Sequence, residues 1–190
     1  RLIETLKNAD LIIAEDTRTS RKLLNRYDIK KHELQSYHDN SSVQKTENII
    51  ERLKKGENIA LVSESGTPLI SDPGYKIVKR CIDENIAVTV IPGPSAAISA
   101  LVASGLSVDK FIFIGFLPRQ KQKIKNELEK LRNLPFTLIF YESPKRLLKL
   151  LDIILEIFGD RNACIAREIT KIHEEFLRGN MLRLLDYLRK

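Results

Sequence analysis

Cysteine is scarce in this sequence, and long apolar runs are missing. The two cysteines, Cys81 and Cys164, stand far apart with no Cys-x-x-Cys or histidine-rich companion. That excludes a zinc site and a disulfide framework and predicts a reducing, cytoplasmic setting. No stretch approaches the roughly 20 apolar residues of a membrane-spanning helix, the longest being Leu11 to Ala14 and Phe111 to Leu117, so no membrane partner is expected. The G-x-G-x-x-G dinucleotide fingerprint and the G-x-x-x-x-G-K-S/T phosphate loop are also missing, which argues against the usual form of NAD binding and against a P-loop hydrolase. The chain opens on Arg1 with no basic leader, no apolar segment behind it and no small-residue cleavage site, and so reads as a fragment rather than a secretory precursor.

What is present fits a globular protein with a sizeable core. Of 190 residues, 43% are hydrophobic, within the usual range once glycine is counted. Lysine and arginine number 32 against 25 acidic residues, a net charge of +7, with a pI near 9.4. That balance favours a polyanionic partner, with a plain solvated basic surface as the alternative.

Short apolar runs of strand length alternate with amphipathic segments of helix length, the pattern of an α/β protein with mainly parallel sheets covered by helices. Leu11 to Ala14, Asn58 to Val62 and Ala87 to Ile91 read as strands of a first domain. Ser20 to Arg26, Ser42 to Lys54, Gly74 to Glu84 and Ser95 to Ala103 read as its helices. The periodicity breaks at Ser104 to Asp109 and restarts with Lys110 to Gly115, which predicts domains over 1–106 and 107–190. In the second, Phe136 to Tyr141, Ala163 to Ala166 and Glu174 to Arg178 read as strands; Gln122 to Leu134, Pro144 to Phe158 and Met181 to Leu188 read as helices.

In open parallel sheets, ligands bind beyond the carboxyl ends of the strands, so the loops that follow the strands are the candidate sites. Glu15-Asp16-Thr17-Arg18 puts three charges directly after a strand, which suits a ligand cleft or an ordinary helix start. Ser63 to Gly74 is longer than a plain connection and rich in glycine, proline and hydroxyls, the chemistry of close backbone approach to a ligand. Ile91-Pro-Gly-Pro-Ser-Ala96 opens a helix whose first amides suit a ligand. Phe140 to Pro144 and Ala166 to Lys171 end strands of the second half with polar residues.

Six segments in order, AEDTR (14–18), VSESGTPLISDPG (62–74), IPGPSA (91–96), GFLPR (115–119), FYESPKRL (140–147) and ARE-T-K (166–171), resemble the tetrapyrrole-methylase superfamily. Within it, the sequence is similar to the ribosomal small-subunit RNA methyltransferase I family. The resemblance spans essentially the whole chain and implies two α/β domains, each a mixed, mainly parallel sheet flanked by helices. It further implies S-adenosyl-L-methionine as cofactor in the cleft between them, a homodimer, and methylation of a cytidine ribose 2′-hydroxyl in 16S rRNA, within the 30S subunit. The family's opening strand with its A-T-P-I-G-N-L-like loop and its last strands have no counterpart between Arg1 and Lys190, and Glu64 stands where the family pattern has Asp. Carried over residue by residue, the resemblance places Ser63, Glu64, Gly66, Thr67, Pro68, Leu69, Ile70, Pro92, Gly93, Ser95, Ala96 and Tyr141 at the cofactor.

Methyl transfer to a hydroxyl needs in-line alignment and a proton acceptor, and no metal. Glu15, Asp16, Glu64 and Glu142 all sit at strand ends; Asp16 is the expected acceptor, with Arg18 and Lys171 positioning phosphate. The basic run Arg119 to Arg132, followed by Lys145, Arg146 and Lys149, is the expected RNA surface. Two alternatives stay open: a methylase of a small tetrapyrrole-like metabolite, and a non-catalytic RNA-binding module.

Overall fold

The structure is a computed structural model that describes residues 1–29, 33–38 and 40–190. The chain divides into two compact units, Arg1–Pro94 and Ser95–Lys190. Helix α5 (Ala96–Ser104), assigned to the first domain by periodicity alone, packs on strands β5, β6 and β7 and so belongs to the second unit.

In the first unit a parallel sheet has the order β2-β1-β3, from β1 (Leu11–Ala14), β2 (Glu33–Ser36) and β3 (Ile59–Val62). Strand β1 is buried throughout because it is central and covered on both faces. Its alternation sends Leu11 and Ile13 into a cluster with Tyr37, Ile49, Ile50, Ile77 and Cys81, under α3 (Val43–Lys54) and α4 (Tyr75–Asp83). Ile12 enters the opposite cluster with Leu6, Leu24 and Ile29, under α1 (Leu2–Lys7) and α2 (Thr17–Arg26). Each such side chain, fully buried, contributes roughly 1.5–3 kcal/mol. On the outer side of these helices Arg80 grips Glu47 with two hydrogen bonds of 2.7 and 3.0 Å, tying α4 to α3.

Two readings change here. Glu33–Ser36 forms a strand that its polar alternation concealed, since an edge strand with an exposed face lacks the apolar run of β1. Ala87 to Ile91 forms no ladder, and Val88 and Val90 are 46% and 66% exposed. Strand propensity becomes a strand only when a neighbouring backbone offers hydrogen bonds, and among the described residues none pairs with this segment.

The second unit contains a parallel pair, β4 (Phe111–Phe116) and β5 (Thr137–Tyr141), and an antiparallel pair, β6 (Asn162–Arg167) and β7 (Glu175–Asn180). Helices α6 (Lys121–Leu131), α7 (Pro144–Phe158) and α8 (Met181–Arg189) complete it. Helix α7 supplies Leu150, Leu151, Ile153, Ile154 and Ile157 to a core shared with Ile124, Leu128, Met181 and Leu185. Burial raises both thiol pKa values, so Cys81 and Cys164 are poor nucleophiles at neutral pH.

Candidate active site

The turn after β1 is self-contained. Asp16 is the N-cap of α2: its Oδ1 accepts from the Arg18 amide at 2.7 Å, and Arg18 Nη2 lies 3.1 Å from Oδ2. Sequence spacing dictates this, because an N-cap carboxylate reaches the amide two residues on. The Arg18 side-chain and backbone hydrogen bonds hold the Asp16 carboxyl below the usual aspartate range. Both carboxylate oxygens are therefore occupied, and Asp16 is a weaker proton acceptor than a free aspartate.

The loop after β3 is held by its own backbone. Ser63 Oγ donates to the carbonyls of Ser65 and Gly66, at 3.2 and 3.4 Å. Thr67 Oγ1 donates to the Pro94 carbonyl at 3.3 Å, so the Ser63–Ile70 and Pro92–Pro94 segments meet. Gly66 has φ +73, and a Cβ there would stand 3.5 Å from the Pro94 carbonyl; one on Gly93 would stand 3.5 Å from Thr67 Oγ1. Further along, Leu69 and Ser71 also adopt left-handed backbone, with φ of 72 and 66. Leu69 is turned inward: a Cβ on Gly74 would come 2.6 Å from Leu61 and 3.1 Å from Leu69, so Leu69 serves packing while Ile70 is left exposed. Backbone strain of this kind costs about 1–3 kcal/mol per residue and gathers where a ligand is gripped.

Asp72, in the same loop, carries no signal of a role in residue order. Burial first, and then the charges of Glu15 and Glu64, push its carboxyl above the usual range. Glu64 also acts electrostatically on Arg18, so the turns after β1 and β3 share one electrostatic neighbourhood. Only the fold could bring these carboxylates together.

The second unit positions the other predicted residues by a different route. A bulge in β4 between Phe113 and Gly115, with Gly115 at φ +71, shifts the register against β5. In a regular strand, residues three apart face opposite sides; the inserted residue lets Phe113 and Phe116 both meet Tyr141 edge-on, with centroids 5.0 and 5.5 Å away. Held this way, the Tyr141 hydroxyl accepts from the Ala97 amide at 3.1 Å, while Ser95 Oγ accepts from the Ile98 amide at 3.4 Å. Two amides at the start of α5 are therefore capped internally. Pro92, Gly93 and Ala96 are exposed, and Ser95 is half-buried.

Lys171 lies in the β6–β7 turn, 3.1 Å from Glu168, and belongs to the second unit, whereas Asp16 and Arg18 belong to the first. On α6, Lys125 pairs with Glu156, Lys130 with Glu127 at 2.7 Å, and Arg132 with Glu129 at 3.8 Å. Among the described residues no ion pair engages Arg119 or Lys123, and Lys121 adds only a longer-range effect on Glu156. The basic run is thus narrower than its sequence suggests.

Residues 1–184 match the family of tetrapyrrole (corrin/porphyrin) methylases. The chain is 50% identical over 190 residues to the ribosomal RNA small subunit methyltransferase I of Halalkalibacterium halodurans, of whose length it spans 65%, just under two thirds. It is 47% identical over the same 190 residues to the protein of that name from Thermotoga maritima, spanning 85% of its length. A crystal structure of diphthine synthase shares the fold, with a TM-score of 0.71, 14% identity, and coverage of 97% of this chain and 76% of its own. Together with the glycine loop after β3, the Ile91–Ala96 segment and the two α/β units, this makes the chain a member of the tetrapyrrole methylase family, within the group that carries the name ribosomal RNA small subunit methyltransferase I.

Proposed function

We propose that the chain carries the methyl-transfer machinery of an enzyme that uses S-adenosylmethionine to methylate the 2′-hydroxyl of a cytidine ribose in 16S rRNA. The observation that carries this reading is the meeting of the Ser63–Ile70 and Pro92–Pro94 segments, with the Gly66 and Gly93 backbones turned toward each other's loop. The cofactor suits the residues present: without a Cβ at Gly66 or Gly93 the backbone of both loops stays bare, and the neighbouring carbonyls and hydroxyls suit the cofactor's ammonium and ribose groups. When bound, S-adenosylmethionine supplies an electrophilic methyl group. In the first unit, Ser63, Glu64, Gly66, Thr67, Pro68, Ile70, Pro92 and Gly93 are the residues to hold it; Leu69 acts from beneath by packing on Gly74.

The proton of the attacking hydroxyl needs an acceptor whose affinity is not spent on a neighbouring cation. Asp72 suits that task better than Asp16, because its carboxyl is raised by burial and by Glu15 and Glu64 while that of Asp16 is lowered by Arg18. Arg18 stays largely solvent-exposed and, with Lys171, suits phosphate positioning. On the RNA side we assign Arg119, Lys121 and Lys123. The names of the relatives support rRNA as substrate; the 30S subunit as its form, a homodimer as the working species and the cytoplasm as its place complete the reading.

Calorimetric titration of the full-length protein with S-adenosylmethionine, followed by methyl transfer to 30S particles, tests it. Saturable cofactor binding and a ribose-methylated cytidine are expected. Cofactor binding without transfer to any rRNA would overturn the substrate, and absence of cofactor binding would overturn the enzyme.

A further inference from the structure

The turn that follows β5 contains a carboxylate that the chemistry above does not use. The Glu142 side chain is only 5% exposed, yet it lies at the end of a strand and not within a core cluster. Its Oε1 accepts from the Ser143 amide at 2.7 Å. Its Oε2 is buried and makes no hydrogen bond, although Arg146 Nη2 lies 3.1 Å away. That same Nη2 donates to the Pro118 carbonyl at 2.9 Å and approaches the Leu117 carbonyl at 3.4 Å. One guanidinium nitrogen therefore faces three oxygens, two from the turn after β4 and one from the turn after β5.

As a source of stability this arrangement is poor. Burying an ion pair costs desolvation that the attraction recovers only when geometry is good and every lone pair is satisfied, and here one oxygen is left without a hydrogen bond. What the arrangement does secure is position. Strands β4 and β5 are adjacent and parallel, so their carboxyl-end turns lie side by side, and Arg146 fastens one to the other. The fastened turn carries Arg119 and leads into α6 at Lys121, two cations for which no ion pair is present among the described residues. Without the carboxylate behind it, the guanidinium is free to swing to solvent and the turn, still seated in the core by Leu117, loses its side-chain hydrogen bonds.

We propose that Glu142 is a positioning residue that acts through Arg146 to hold the Leu117–Gln120 turn in the geometry that presents Arg119, Lys121 and Lys123 to phosphate groups of the RNA. This rests on the substrate reading above and deepens it. It also removes Arg146 from the expected RNA-contacting surface, because its charge is turned inward onto Glu142 and two carbonyls.

The test uses the full-length protein with Glu142→Gln, Arg146→Met and the double substitution, compared by thermal unfolding, methyl-transfer kinetics on 30S particles, and tryptic cleavage of the native protein after Arg119 and Lys121. Each single change is expected to raise KM for the RNA by about tenfold with kcat within about twofold, and to speed cleavage at the turn by a similar factor. The double variant is expected to be no worse than the weaker single one, since both changes break one chain of interactions, and Arg146→Lys is expected to recover part of the loss. Cleavage does not depend on substrate, so it judges the clamp even if the parent protein fails to methylate 30S particles, a failure that would count against the substrate reading instead. Faster cleavage with unchanged KM would overturn the proposal by reducing the pair to a structural tether. A collapse of kcat at unchanged KM would overturn it by making Glu142 the proton acceptor itself, and so would additive losses in the double variant.

Discussion

The two units build their candidate segments by opposite means. In the first, the parts are backbone: left-handed residues at Gly66, Leu69, Ser71 and Gly74, and a Thr67 hydroxyl that hooks the Pro94 carbonyl. In the second, the parts are side chains, with Tyr141 seated between Phe113 and Phe116 and Arg146 spanning two turns. A backbone-built surface is sensitive to the angles a residue must adopt, φ +73 at Gly66 and +131 at Gly74, and indifferent to many side-chain exchanges; a side-chain-built one has the reverse sensitivity. Charge divides the same way, with carboxylates gathered after β1 and β3 and, at the start of α6, cations that make no ion pair among the described residues.

The largest expected effect breaks the backbone-built half. Gly66→Val forces a β-branched residue into φ +73 and points its methyl groups toward the Pro94 carbonyl. Cofactor affinity measured by calorimetry should fall at least about tenfold, or about 1.4 kcal/mol. Parental affinity in this variant would show that the loop does not approach the cofactor closely.

The second unit should respond to side-chain loss instead. Tyr141→Phe keeps the edge-on packing and removes only the acceptor for the Ala97 amide, which should cost about 1 kcal/mol in denaturant unfolding. Tyr141→Ala also forfeits two aromatic interactions, each about 0.5–1.5 kcal/mol, and should be clearly the more damaging. Equal costs would mean that the rings contribute nothing beyond the hydroxyl.

A smaller effect separates the cations by their ion pairs. Lys121→Gln with Lys123→Gln should flatten the salt dependence of RNA binding by about 0.7–0.9 of a logarithmic unit for each phosphate left without its cation. Lys125→Gln should do less, because that amine is already committed to Glu156. Cofactor binding should be unchanged in all three, and an equal effect of Lys125 would refute the sorting by ion pair.

The smallest expected effect concerns Asp72. Its folded-state pKa lies above its unfolded value, so its charged form is disfavoured by folding near neutral pH, and stability is regained as pH falls through the folded value. Asp72→Asn should therefore be slightly more stable than the parent at pH 7, by under about 1 kcal/mol for a carboxyl that is only partly buried. The gap should close well below the ordinary aspartate value of 3.8. The same variant should lower kcat if Asp72 accepts the hydroxyl proton, which a pH–rate profile would reveal.

The sequence by itself determined those features that depend on near neighbours along the chain. The alternation of Leu11, Ile12 and Ile13 between two helix-covered faces, the Asp16 cap, the proline at the start of α7 and the glycines of the Ser63–Gly74 loop are all local, and each is visible in residue order. The tertiary structure decided whatever needs distant partners. It left Ala87–Ile91 without a ladder among the described residues, made a strand of Glu33–Ser36, moved α5 into the second unit and turned Phe113 and Phe116 to one side through a bulge. It also redistributed the ionisable groups: Asp72 raised among distant carboxylates, Lys125 neutralised by Glu156 of α7, and Arg146 drawn inward onto the Leu117 and Pro118 carbonyls. A residue's type is written in the sequence, but its proton affinity and free charge depend on which groups the fold sets within a few ångströms and how much water it leaves between them.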